Sequence, residues 1–483
     1  MTQVGLCARL TDLLSGHLGK LGDGEGARAL RDAVAALGEP LPRLAVGGRL
    51  KAGKSTLVNA LLGTGVAATG HTETTTVVSR FHHARKVSAT LHTLDGKSAP
   101  LSLDARGRVP ARLDAPLSEV DHIAVGLPSA VLAERFTLVD TPGVDSLSGL
   151  DPGSERALAE ADAVLYVMPH PGDNDNRALL RVREQAAGSG LTAANVLGVL
   201  SRVDQLSDGE GDPWPIAHRV AANYSAKLRG VAGGIVPVLA LLAHSATEFD
   251  DADTAAVLKV RALPAPELED VLYSAEDFLT MAPLPDEHSR RLMSALGMYG
   301  IRALVASTRT DTGGFAELLR ETSQVDPLLE RITTSLAAGS DRLRCTRVLA
   351  NAEAATWRGT SPAEKSALGA VRAELDRFRG LPELGQVRLA GALTDVLLGR
   401  CELPEDEVAA LERLATGTTT AACLGLPEGT GAAELADAAD DEIDRWRAWE
   451  NTPSAVLSRH ARDASELCQR FFFAQQDDNG GLP

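Results

Sequence analysis

Residues 48–55 read Gly-Arg-Leu-Lys-Ala-Gly-Lys-Ser, preceded by the apolar run Leu44-Ala45-Val46 and followed by a helix-forming run from Thr56 to Leu62. Strand, glycine-bounded loop and helix in that order open a βαβ unit, which commits this part of the chain to a parallel sheet. The glycines let the backbone curl so that successive amides point inward. The helix that follows adds its positive dipole end at the same spot. Gly48, Arg49, Leu50, Lys51, Ala52, Gly53, Lys54, Ser55 and Thr56 are therefore expected to cradle the phosphates of a nucleoside triphosphate. Lys54 then reaches the β- and γ-phosphates, and the Ser55 hydroxyl ligates magnesium.

At 483 residues the chain is too long for one compact core, so two or three domains are expected. Aromatic residues make up only 4% while Ala and Leu abound, which favours helices outside the nucleotide domain. A net charge of −17 excludes broad nucleic-acid binding, because phosphate neutralisation needs a basic face. It leaves room only for local, peripheral contact with an anionic membrane surface. The five scattered cysteines suggest reduced thiols, and neither a secretory leader nor a run of about 20 apolar residues is seen. A cytoplasmic location is expected, including the inner face of the cell membrane.

Short apolar strands are expected at Leu44–Val46, Val87–Leu91, Ile123–Leu127, Phe136–Val139, Val164–Met168, Val196–Leu200 and Val236–Leu239. Their alternation with helices marks a mostly parallel sheet with helices on both faces. The run Ile235 to Leu242 reads as one buried strand. Before it, Leu10, Leu14, Leu18 and Leu21, then Leu30, Val34 and Leu37, lie on helical faces. After it, Leu329, Ile332, Leu336 and Leu343 form one helical stripe. Leu457, Ala461, Ala464, Leu467 and Phe471 form another, with Ser454 as a cap. The expected division is helices at 1–40, a nucleotide domain at 41–324, a helical bundle at 325–474 and a disordered tail at 475–483.

Three later elements narrow the nucleotide. Thr72-Glu73-Thr74-Thr75-Thr76 follows the first helix, and Thr75 is expected on magnesium and near the γ-phosphate, with Thr74 and Thr76 as close rivals. The apolar strand ending in Asp140-Thr141-Pro142-Gly143 places a carboxylate toward the metal and a Gly143 amide toward the γ-phosphate. Ser201-Arg202-Val203-Asp204 stands where GTPases carry Asn/Thr-Lys-x-Asp. The Asp204 carboxylate suits the paired donors of guanine, and Arg202 is expected to stack in place of Lys. Val144 occupies the position of a water-orienting Gln, so hydrolysis needs another device. Lys51 is either that device, an electrostatic aid in cis, or a solvated residue that only helps binding.

Taken together, Leu50 to Gly63, Thr72-Glu73-x-Thr75, Asp140-Thr141-Pro142-Gly143 and Ser201-Arg202-x-Asp204 resemble a bacterial dynamin-like GTPase. The chain is most similar to the shorter, C-type member of the isoniazid-inducible dynamin-like proteins of mycobacteria. Leu296-Gly297-Met298-Tyr299-Gly300-Ile301-Arg302 and the Leu424-Gly425-Leu426 neighbourhood are also alike. The resemblance implies an α/β P-loop GTPase domain joined to an α-helical bundle built from both chain ends. Read with the loop chemistry above, the chain is expected to be a magnesium-dependent GTPase with Lys51, Lys54 and Thr75 as catalytic residues, and Ser55, Thr75 and Asp140 on the metal. Gly143, Ser201, Arg202 and Asp204 complete the nucleotide contacts. The resemblance further implies pairing of GTPase domains, with a second copy or another dynamin-like protein, and action on membranes. Two alternatives stand beside it: a poorly active partner of another dynamin-like subunit, and a soluble GTPase switch with a protein effector.

Smaller features are expected to be structural. His82-His83 reads as a solvated strand edge, Arg377 to Pro382 as an interhelical turn, and Phe471-Phe472-Phe473, Trp446 and Trp449 as bundle packing.

Overall fold

The computed structural model describes residues 5–67, 76–104, 107–113, 115–143, 152–169, 172, 177, 179–180, 195–206, 211–228, 231–417 and 419–479. Its strands are β1 (Arg43–Gly48), β2 (Ser79–His83), β3 (Ser88–Thr93), β4 (Ser98–Leu101), β5 (Val120–Leu127), β6 (Thr137–Asp140), β7 (Ala163–Met168), β8 (Val196–Leu200) and β9 (Ile235–Pro237). They form one nine-stranded sheet in the order β4-β3-β5-β2-β6-β1-β7-β8-β9. The half from β6 to β9 is wholly parallel. In the other half β2 runs antiparallel to β6 and parallel to β5, and β3 is antiparallel to both its neighbours.

The sheet is covered on both faces. Val164, Tyr166 and Met168 of β7 enter one core and Ala163, Leu165 and Val167 the other, because successive strand residues point to opposite sides. The first core is roofed by Trp214–Lys227, Ala240–Glu248, Asp251–Arg261, Asp286–Ala306 and Thr312–Ser323, among others. The second is closed by Lys54–Leu62, Ala130–Glu134 and the first turns of the long helix Val325–Ala355.

Several sequence expectations are corrected here. β2 and β4 carry too few apolar residues to stand out; β4 was not expected, and of β2 only His82-His83 was read as strand. His82 and His83 end a strand that lies inside the sheet, not at its edge, although both side chains are exposed and His83 Nδ1 lies 3.1 Å from the Ser129 carbonyl. The run Ile235 to Leu242 is not one strand. β9 stops at Pro237, which has no N–H to continue a ladder, and Ala240 starts a helix. The last helix, Ala455–Asn479, runs past Gln475, where a tail was expected, because no Gly or Pro interrupts it.

The helical remainder has two cores. Leu10, Leu14, Leu30 and Leu37 from the N-terminal helices meet Cys345, Val348 and Leu349 of the long helix and Leu368 and Leu375 of Pro362–Arg379. A bundle from both chain ends is thus formed. A second core gathers Leu389, Leu411, Ile443, Trp446, Ala461 and Leu467, with Trp449, Phe471 and Phe472 packed against it and Phe473 left exposed. The stripe Leu329, Ile332 and Leu336 is real but buries against the sheet, so the long helix serves both regions. Of the expected turn Arg377 to Pro382 only Gly380 and Leu381 connect helices; Arg377–Arg379 are the last turn of Pro362–Arg379, with Phe378 buried and Arg379 paired to Glu353, and Pro382 starts the short helical turn Pro382–Leu384. All five cysteines are buried and free. Among the described residues no helix is long and apolar enough to cross a membrane.

Candidate nucleotide-binding site

β1 lies between β6 and β7, both parallel to it, so the chain reverses direction across the sheet beside its C-terminal end. In open parallel sheets that is where ligands bind, since the loops on either side part there. The loops after β1, β6 and β8 all open at this end. Gly48 has φ 142°, and a β-carbon there would lie 2.4 Å from the Val167 carbonyl oxygen of β7. Only glycine lets the loop leave the strand this tightly.

Lys54 begins the helix and is buried; its Nζ donates to the Arg49 carbonyl at 3.2 Å, folding the loop over its own lysine. Burial lowers the Lys54 pKa, and the nearby Asp140 charge opposes that shift. Ser55 Oγ donates to Asp140 Oδ2 at 2.8 Å, joining the loop to the end of β6. Asp140 Oδ1 is buried and accepts no hydrogen bond from the described residues. Burial raises this carboxyl to about 6, with Lys54 and Ser55 holding it back. The Thr141 hydroxyl donates to the Val46 carbonyl at 2.8 Å and fixes the turn that carries Asp140. Gly143 comes up against the same loop: a β-carbon on it would stand 2.8 Å from Leu50 Cα.

The third loop closes on the first from β8. Ser201 is buried, and its Oγ donates to the Ala52 carbonyl at 2.8 Å. Arg202 takes a left-handed φ of 53°, and its Nη2 donates to the Lys51 carbonyl at 2.9 Å. Lys51 is itself left-handed at φ 62°, with an exposed ammonium that has no partner among the described residues. Arg202 thus ties two loops together, a role that its sequence position did not suggest. Asp204 follows in the short helical turn Val203–Gln205, and its burial raises its pKa. The Val238 amide donates to the Leu200 carbonyl at 2.9 Å, which brings the loop after β9 alongside.

The structure therefore brings the loop carrying Arg49, Leu50, Lys51, Ala52, Lys54 and Ser55 against Asp140 and Gly143 from one loop and against Ser201 and Arg202 from another. Thr75 and Val144 lie outside the described residues, whereas Thr76 is described and exposed. The Thr141 anchor was missed; its signal was a hydroxyl one residue past a strand-end Asp. We expect Ser201→Ala, which orphans a loop carbonyl, to weaken GDP binding about fivefold in calorimetry, the effect of one hydrogen bond of about 1 kcal/mol. Unchanged affinity would remove Ser201 from the site.

Comparison with known proteins gives the chain a family. A family profile described as "Dynamin family" matches residues 44–203, from β1 to the turn after β8. The isoniazid-induced protein IniC of Mycobacterium tuberculosis is 32% identical over 434 residues, which cover 86% of this chain and 85% of that protein. The isoniazid-induced protein IniA of the same organism is 35% identical over 136 residues, 27% of this chain and 21% of that one. A solved structure of an oligomerised bacterial dynamin pair aligns over 97% of this chain and 72% of its own at 13% identity, with a TM-score of 0.37. With a relative of such identity spanning most of its length and the family's profile lying on the loops that build the site, the chain belongs to the dynamin family.

Proposed function

We propose that this protein binds GTP with magnesium, hydrolyses it, and couples hydrolysis to self-assembly in membrane remodelling or maintenance. The observation that carries the reading is the convergence of two separately encoded loops, after β6 and after β8, on residues 48–55: Ser55 on Asp140, Ala52 on Ser201 and Lys51 on Arg202. That arrangement fits a triphosphate held at the loop and a base held beside Asp204.

The residues also suit a divalent cation. Ser55 and Asp140 are hard oxygen donors, and the buried Asp140 Oδ1, which has no partner among the described residues, would suit a metal-bound water or the ion itself. Thr75 is the further ligand in this reading. Magnesium at this place neutralises charge on the phosphate oxygens. Lys54 binds the β- and γ-phosphates, the Gly143 amide meets the γ-phosphate, and the Asp204 carboxylate accepts from guanine. The exposed Lys51 ammonium lies on the same loop and offsets charge at the bridging oxygen. With Val144 in place of a Gln, pairing of GTPase domains completes the site, with a second copy or another dynamin-like protein. The long helix shared by sheet and bundle is the natural carrier of the nucleotide state into assembly.

Purified protein given millimolar GTP and magnesium should release phosphate, and chelation of the metal should stop it. Equal rates with ATP would sink the guanine assignment. Co-sedimentation with anionic liposomes should rise with GTP; no lipid binding in any nucleotide state would instead favour a soluble switch.

A further inference from the structure

The segment Leu296-Gly297-Met298-Tyr299-Gly300-Ile301-Arg302 has no part in the phosphate site, yet it contains a break in an otherwise regular helix. Within Asp286–Ala306, Gly297 has φ 62° and ψ 175°, far from helical values. That conformation belongs essentially to glycine and is held only when the surroundings dictate it. The surroundings do so here. On one side of the break Leu296 is buried in the sheet's core and the Ala295 carbonyl accepts from Ser245 Oγ at 2.5 Å. On the other side Ile301 is buried in the same core, and Gly300 lies so close to Leu242 that a β-carbon would stand 2.6 Å from its Cδ2. Arg302 donates to the Leu272 carbonyl from Nε at 3.0 Å and to the Tyr273 carbonyl from Nη2 at 2.8 Å. Both halves of the helix are thereby anchored, and Gly297 absorbs the mismatch.

What the break faces gives it a role. A β-carbon built on Gly297 would lie 3.7 Å from Asp204 Oδ2, so the kinked backbone passes beside the carboxylate assigned to guanine. Ser245 belongs to the helix that begins at Ala240, directly after the Val238–Leu239 loop that borders β8. We propose that the Gly297 kink is a specificity-determining wall of the guanine seat, holding the Asp204 carboxylate in register with the two donors of the base. This rests on the guanine reading above.

Gly297→Ala tests it, because the gap tolerates a methyl group at 3.7 Å while the backbone conformation does not. GDP, IDP and ADP are titrated calorimetrically. IDP lacks the exocyclic amine of guanine, and ADP lacks that amine and the ring N–H. The unaltered protein should prefer GDP over IDP by roughly 10-fold or more, as one hydrogen bond to a carboxylate warrants. Gly297→Ala should reduce that ratio about fivefold or more, whereas Lys54→Ala should weaken both ligands alike. Ser245→Ala, which removes one anchor without adding strain, should reduce the ratio about threefold; it decides the matter if the alanine at 297 impairs folding. A GDP preference unchanged in these variants overturns the proposal and leaves the guanine reading intact. Equal binding of GDP and ADP by the unaltered protein overturns both.

Discussion

Lys54→Ala is expected to lower GTP turnover by about 10²–10³-fold and to abolish stabilisation of the fold by GDP. The first figure is the usual cost of deleting one preorganised donor to developing charge. Lys54 is buried beneath its own loop, with the Arg49 carbonyl and the Asp140 charge as its nearby partners. Burial there disfavours the charged form, so without nucleotide the ammonium contributes little to folding and its loss should leave the apo melting temperature nearly unchanged. With nucleotide, the same desolvated charge meets phosphate oxygens in a low-dielectric setting, where a charge-assisted bond is strong. A ligand that binds only the folded state at 100 times its Kd stabilises it by about 2.7 kcal/mol, and that increment should vanish. Thermal unfolding with and without GDP and magnesium reads it directly. A variant still stabilised by GDP would show that the loop does not hold phosphate as proposed.

Arg347→Ala is expected to cost about 3–5 kcal/mol of stability, since removing one partner strands a buried charge. Arg347 Nε meets Asp162 Oδ1 at 2.8 Å, with the two side chains 2% and 0% exposed. Asp162 also accepts from the Arg43 amide through Oδ2 at 2.8 Å, and its carbonyl accepts from Asn195 at 2.9 Å. One residue thus ties the entrances of β1, β7 and β8 to the long helix. Around it Arg43 pairs with Glu39 and Glu160, and Arg344 donates to the Glu39 carbonyl, binding the N-terminal helices to the same point. Urea unfolding should show a lower midpoint. Adding Asp162→Asn to Arg347→Met should restore much of the loss, because asparagine keeps the acceptor for the Arg43 amide without a lone charge. A loss under about 1 kcal/mol for Arg347→Ala would mean water reaches the pair.

The phosphate loop was legible because its chemistry is local: glycines, a lysine and a serine at set spacing between a strand and a helix leave few other outcomes. Asp140 and Asp204 were legible for a related reason, each standing at the end of an apolar strand whose direction the loop had already imposed. β2 was read only at His82-His83, and as an edge, because Ser79, Arg80, His82 and His83 give it almost no apolar signal, and its place in the sheet comes from pairing with β5 and β6. The Ile235 to Leu242 run misled for the opposite reason. Apolar content alone does not separate a strand from a buried helix start, and here Pro237 and the packing of the next helix decide.

The nucleotide loop, the parallel half of the sheet and the helical character of the rest were readable from residue spacing and local composition. What joins them is set by packing across the whole molecule. Ser201 meets Ala52 and Arg202 meets Lys51 across about 150 residues of chain. Asp162 meets Arg347 across 185. Gly297 reaches Asp204 because two anchored half-helices leave it no helical alternative. Such contacts depend on how whole layers pack, and no local pattern of residues encodes them.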